Sequence, residues 1–284
     1  MKYLNTANQP VAIGLAHGPG VTEYISAYPE LIDYVEIPFE QLRHAPQVGS
    51  IQEQIPVVLH CASMSVAGFV PPADSTLDAI ATEARRTQTP WIGEHLAFVT
   101  ADPLASDSES DSDNPPTALT YTVCPQLSEE TVERVAENLA TLETRFDAPI
   151  ILENSPQYFP VPGSTMSMVD FIGAVLQRSN AGLLLDLTHF LITMVNTGKD
   201  ALTEIAKLPL DRVVEIHISG LNVQSGIAWD DHATPAPAPV FELLDHVLER
   251  VRPKAITFEY NWTPHFPESV LLNQLQSTRQ RLGL

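Results

Sequence analysis

With 284 residues and a 44% hydrophobic fraction, the chain can bury one sizeable core and falls in the size range of a single α/β barrel. Its formal net charge of −20 speaks against nucleic acid, whose binders carry a basic stripe that this sequence lacks. No apolar run reaches the roughly 18 residues that span a bilayer, and the opening MKYLNTANQP has neither a basic nor an apolar signal region. A soluble cytoplasmic protein that does not engage membranes is therefore expected.

Short β-branched and apolar runs recur along the chain. They lie at Val11–Leu15, Asp33–Ile37, Pro56–His60, Trp91–His95, Pro149–Asn154, Gly182–Leu187, Val213–Ile218 and Ala255–Tyr260. Runs of this length, apolar nearly throughout, suit strands covered on both faces, as in a parallel sheet. Helical spacing between them predicts helices over Ser75–Thr87, capped by Asp74 or Ser75, and over Ser128–Phe146, opened by Ser128 with Glu129 and Glu130 in its first turn. Met166–Arg178, Asp200–Leu208, Val240–Val251 and Pro267–Leu282 fit the same role. Eight strands alternating with helices predict a closed (β/α)8 TIM barrel occupying residues 1–284 as one domain. Ala101–Leu119 (ADPLASDSESDSDNPPTAL) breaks the rhythm and reads as a mobile acidic insertion after the fourth strand.

The chemistry gathers where the strands end, because side chains there converge on one mouth of such a barrel. Strand three ends in His60, strand four in Glu94-His95, strand five in Glu153-Asn154 and strand six in Asp186, with His189 three residues on. Strand seven ends in His217, its following loop carries Asp230-Asp231-His232, and strand eight carries Glu259. Charged groups inside runs such as IILEN and LLLD are costly to bury unless paired or bound to metal. Six successive strands ending this way point to a multinuclear metal site. Its oxygen and imidazole donors suit iron, manganese or zinc, and a central carboxylate such as Glu153 can bridge two ions. Cys61 and Cys124 are far apart and outside any CxxC, so they indicate neither a disulfide framework nor a thiolate zinc site. Strand alternation turns Cys61 away from the barrel interior.

These residues resemble the DUF692 (UPF0276) family, the multinuclear non-haem iron-dependent oxidative enzymes. The resemblance runs in order through IGL (Ile13–Leu15), VEIPFEQ (Val35–Gln41), LHCASMS (Leu59–Ser65), GEHLAF (Gly93–Phe98) and LENS (Leu152–Ser155). It continues through LLLDLTHF (Leu183–Phe190), EIHISG (Glu215–Gly220), WDDH (Trp229–His232) and FEYN (Phe258–Asn261). It implies a xylose-isomerase-like TIM barrel holding two or three iron ions, with a mixed-valence pair and dioxygen as co-substrate. The implied ligands are His60, His95, Glu153, Asp186, His189, His217, Asp230, His232 and Glu259. The implied activity is oxidation of a residue, Cys foremost, in a ribosomally synthesised precursor peptide whose leader is captured by a separate partner protein. No catalytic residue beyond the metal ligands is assigned.

The chain departs from the family pattern in three places. GLAHG puts His17 where a basic residue is common, Glu40-Gln41 stands where Glu-Asn is common, and His189 replaces a frequent Asn, which supports a third metal position. Substrate contacts are expected from His17, Glu40 and Asn154, whereas His44, His246 and His265 read as surface or structural. Two other functions fit the same ligands: a hydrolytic or isomerising metalloenzyme of the same barrel superfamily, and a metal-binding protein without turnover. A sugar isomerase commonly needs a lysine near its metals, but Lys199, Lys207 and Lys254 all sit away from strand C-termini.

Overall fold

The computed structural model describes residues 10–101, 117–260 and 266–284. Strands β1 (Ala12–Ala16), β2 (Tyr34–Pro38), β3 (Val57–Cys61) and β4 (Ile92–His95) are followed by a hairpin of β5 (Phe98–Ala101) and β6 (Thr117–Val123). Next come β7 (Ile150–Glu153), β8 (Gly182–Asp186), β9 (Val213–Ile218), a second hairpin of β10 (Leu221–Gln224) and β11 (Ile227–Asp230), and finally β12 (Ala255–Phe258). The two hairpins stand apart, and the other eight strands close into a parallel barrel in chain order. Closure comes from β1, which pairs in parallel with both β2 and β12. The fold is the TIM barrel that the strand rhythm predicts.

The helices, among the described residues, are α1 (Val21–Ala27), α2 (Phe39–His44), α3 (Asp74–Thr87), α4 (Glu129–Leu142), α5 (Met168–Arg178), α6 (Leu187–Thr197), α7 (Ala201–Ile205), α8 (Ala238–Leu248) and α9 (Glu268–Leu282). Local chemistry sets several of their starts: the side chains of Ser128, Ser167, Asp186 and Asp200 accept the amides of Thr131, Asp170, His189 and Thr203. Helix α3 departs from expectation, since its N-cap is Ala73 without a side-chain cap, and Asp74 sits inside the first turn. The fourth predicted helix shortens to α7, with Asp200 as its cap. Helix α6 escapes sequence pattern for a physical reason: its first eight residues, Leu187 to Met194, are all buried, so no amphipathic stripe marks it. The predicted insertion is strand at both ends, Ala101 closing β5 and Thr117–Leu119 opening β6, while 102–116 lies outside the described residues, as does His265. No helix among the described residues is long and apolar enough to cross a membrane.

One large core fills the space between strands and helices, and a second, smaller one plugs the barrel interior. The plug consists of Tyr34, Val58, Trp91, Ile151, Leu184 and Ala255. Gly14 permits it: a Cβ there would stand 2.4 Å from the Tyr34 ring. Strand side chains repeat every second residue, so two positions after Tyr34, Val58, Ile151 and Leu184 come Glu36, His60, Glu153 and Asp186. The plug is thus the floor on which the polar groups stand.

Candidate metal centre

The nine predicted ligands converge although they come from eight different segments. His60 is the penultimate residue of β3; His95, Glu153 and Asp186 end β4, β7 and β8; His217 lies in β9; Glu259 follows β12. His189 is in the first turn of α6, held near Asp186 because that carboxylate caps the helix through the His189 amide at 2.6 Å. Asp230 ends the second hairpin and His232 follows it. Ligand atoms approach within 4.8 Å of one another in four groups: His60 with His95 and Glu153; Glu153 with Asp186, His217 and Glu259; His189 with Asp230 and His232; and Glu36 with His60 and His217. The first three contain all nine predicted ligands, and Glu153 belongs to two of them.

Glu153 is 1% exposed, with one oxygen 3.1 Å from His60 Nε2 and 3.2 Å from His95 Nε2, and the other 3.2 Å from His189 Nδ1. Neither oxygen has a hydrogen bond of acceptable direction. Asp186 Oδ2, His60 Nδ1 and His217 Nδ1 are also buried without one. Buried polar atoms are nearly always satisfied, and the four orphans of Glu153, Asp186 and His217, gathered in one cluster, are atoms that a bound cation would satisfy. A set of imidazoles and carboxylates at 3–4 Å spacing fits divalent cations, and Glu153, which belongs to two of the groups, would be shared between two of them.

The hydrogen bonds behind the imidazoles agree with that fit. His95 Nδ1 faces the Cys61 carbonyl at 3.1 Å, His189 Nδ1 the Asn154 carbonyl at 3.1 Å, and His217 Nε2 the Glu36 carboxylate at 3.1 Å. Each acceptor fixes the proton on the nitrogen it faces and leaves the other nitrogen free to ligate. His60 instead turns Nδ1 toward Gly93, where a Cβ would stand 2.4 Å away, so this strand position takes only glycine.

The charges are strongly coupled. Burial alone would lower the His60 pKa, but the Glu36 and Glu153 carboxylates outweigh it and push it up to about 10. His232 follows the same pattern, with burial opposed by Asp230 and Glu259, and reaches about 9. Burial raises Asp186 and Glu36 to about 7 each against the pull of His189 and His217. Burial would likewise raise Glu153, yet His95, His189 and His60 hold it well below the usual carboxylate range. Without cations, His60, His189, His217 and His232 are therefore protonated counter-ions to the carboxylates, whereas burial lowers the His95 pKa and keeps that ring neutral.

The three expected substrate contacts are placed differently. Glu40 lines a cavity of about 900 Å³ that opens onto His60, His95, Glu153, Asp230 and Glu259. Its carboxylate accepts the Ala62 amide at 3.1 Å and the Ser63 hydroxyl. His17 does not line this cavity, and its Nδ1 pairs with Gln41 at 2.9 Å. Asn154 uses both ends of its amide on the Asp186 backbone, at 2.9 Å each, so it positions a ligand strand. Sequence reasoning missed Glu36 and Glu215. Glu36 was visible in VEIPFEQ, since strand period two sets it on the same face as Tyr34, inside the barrel. Cys61 is fully buried in the outer core, away from the centre.

A family model described as "RiPP precursor modification enzyme MbnB/TglH/ChrH" matches residues 12–282. The chain belongs to this family. Its curated relatives include a UPF0276 protein of Pseudomonas aeruginosa, 29% identical over 261 residues, covering 89% of this chain and 86% of the relative. A UPF0276 protein of Caulobacter vibrioides is 26% identical over 247 residues, covering 85% and 83%. Among solved structures, a xylose isomerase domain containing protein from Salmonella typhimurium superposes with a TM-score of 0.59 at 13% identity, covering 96% of this chain and 98% of that one. D-psicose 3-epimerase from Clostridium cellulolyticum gives 0.57 at 12% identity, covering 95% and 97%. These structural likenesses establish the xylose-isomerase-like barrel for this family member. Family membership supports a role in modifying a ribosomally synthesised precursor peptide.

Proposed function

We propose that this family member is a dioxygen-dependent iron enzyme that oxidises a residue, Cys foremost, of a ribosomally made precursor peptide. The observation that carries this reading is the cluster of buried, unsatisfied atoms of Glu153, Asp186 and His217, of which Glu153 lines an open cavity. His60, His95 and Glu153 would hold one ion, Glu153, Asp186, His217 and Glu259 a second, and His189, Asp230 and His232 a third. Bound iron would supply one-electron redox chemistry and an open position for dioxygen or a thiolate. A four-electron oxidation of the peptide balances the reduction of one dioxygen to two waters.

The chain's own residues supply the rest. Cys61, His95 and Asn154 illustrate the division of labour: two backbone carbonyls aim the rings of His95 and His189, so the nitrogens facing the centre are fixed before any ligand arrives. Glu36 performs the same task for His217. The cavity above is wide enough for a peptide segment rather than a single amino acid. Capture of the leader falls to a separate partner protein in this reading.

Metal analysis with Mössbauer spectroscopy of anaerobically purified protein, followed by aerobic turnover of Cys-bearing precursor peptides, tests the proposal. Two or three iron ions per chain and a peptide mass loss that depends on dioxygen are expected. Zinc at full occupancy, with no iron taken up on reconstitution, would sink it and favour a hydrolytic or isomerising metalloenzyme.

A further inference from the structure

The cavity lining combines the imidazoles and carboxylates with a group of aromatic side chains, Tyr121, Tyr158, Phe159 and Trp229. Tyr158 stacks on Trp229 with ring centroids 4.7 Å apart and an interplanar angle of 27°, and Phe159 meets Trp229 edge-on at 5.8 Å and 72°. Pro156, Pro160 and Pro162 bracket this loop and restrict its backbone. The aromatic group is tied to the polar one through the chain, because Trp229 directly precedes Asp230 in β11.

The aromatic group is nevertheless unfinished. Phe159 is 55% exposed and Tyr121 68% exposed, both facing a cavity instead of scattered over open surface. Large exposed aromatics gathered at one concave site mark an interaction surface.

We propose that Tyr121, Phe159 and Trp229 form a subsite for an aromatic or bulky aliphatic side chain adjacent in the peptide to the residue presented to the His/carboxylate cluster. This rests on the peptide-modifying reading above and adds the class of neighbour that the peptide must carry. Because successive residues of an extended peptide lie about 3.3 Å apart, a side chain seated on these aromatics keeps its neighbour within the cavity that the ligands also line.

The test uses the zinc-loaded full chain, in which dioxygen chemistry is silent. Two blocked pentapeptides serve as probes, Gly-Phe-Cys-Phe-Gly and Gly-Ser-Cys-Ser-Gly, titrated by tryptophan fluorescence and calorimetry. The Phe probe is expected to bind at least about tenfold more tightly, the scale of a buried aromatic anchor. The preference should collapse toward one in the double variant Tyr121→Ala with Phe159→Ala and survive in Phe159→Tyr. Both sites are exposed, so loss of the fold is not at issue, and circular dichroism verifies it. Equal affinities, no binding of either probe, or an undiminished preference in the double variant would overturn the subsite. A retained Phe preference with no oxidation of any Cys peptide by the iron-loaded protein would remove the oxidase reading and leave the subsite standing.

Discussion

Two carboxylates, Glu153 and Glu215, are buried inside the same barrel, and they are treated in opposite ways. Glu215 is 0% exposed and accepts Tyr34 Oη at 2.9 Å, Thr257 Oγ1 at 2.6 Å and Trp91 Nε1 at 2.7 Å. Glu153 is as deeply buried but receives no hydrogen bond at either oxygen. A carboxylate supplied with three donors needs nothing further, and its charge is solvated by the protein itself. A carboxylate ringed instead by the His60, His95 and His189 imidazoles has the surroundings that a cation would fit. Burial of a charge alone therefore does not mark a metal site; the identity of the neighbouring atoms does.

Glu153→Ala is expected to have the largest effect on metal content, costing more than one ion per chain because one side chain serves two groups. Elemental analysis showing the parent's stoichiometry would break the contrast. His189→Asn should remove at most one ion, since that imidazole serves the group with Asp230 and His232, and a pair should remain by Mössbauer counting. Glu36→Gln should keep all ions at saturation but weaken the one held through His217 by about 10–100-fold in a chelator competition, the usual scale for a supporting carboxylate. Glu215→Gln should leave metal content untouched and lower stability by about 1–3 kcal/mol in urea unfolding, because it disturbs a satisfied buried network. A loss of metal there would erase the distinction between the two carboxylates.

The gentlest perturbation is pH. In chelated protein, His60 at about 10 and His232 at about 9 lie above the unfolded imidazole value of roughly 6.5. Their contribution is fully present below about pH 6.5 and is lost as pH rises through 9 to 10. Asp186 and Glu36, raised to about 7, act in the same direction at lower pH. The Tm of chelated protein should fall from pH 6.5 to 9.5, while metal-loaded protein, whose ligands must be deprotonated, should not follow it. Parallel curves for the two forms would contradict the electrostatic picture.

Much of this centre was legible in the sequence because strand ends in a parallel barrel share one mouth, so His60, Glu153 or Asp186 needs only its place in a strand to be located. The hairpin residues Asp230 and His232, which the structure brings beside His189, were singled out through the WDDH motif, not through periodicity. Glu36 was hidden by attention to Glu40 in the same motif, although alternation from Tyr34 places it inward. Asn154 illustrates the opposite error: a polar residue beside a ligand reads as a substrate contact, but its amide is consumed by the Asp186 backbone 32 residues away in sequence. Helix α6 was obscured because burial on every side removes the periodic signal.

By itself the sequence determined the barrel, through eight apolar runs separated by helical segments, and the donor set, through ionisable residues ending those runs. It also carried the motifs of the family. Only the tertiary structure decided which donors group together, that Glu153 serves two groups, and that Glu215 serves none of the three built from the predicted ligands. It alone revealed the aromatic group that shares a cavity with the ligands, with members from β6, the loop after β7 and β11. The reason is physical. Strand periodicity fixes which way a side chain points, whereas the partner it meets is set by barrel closure, which brings together residues more than a hundred positions apart.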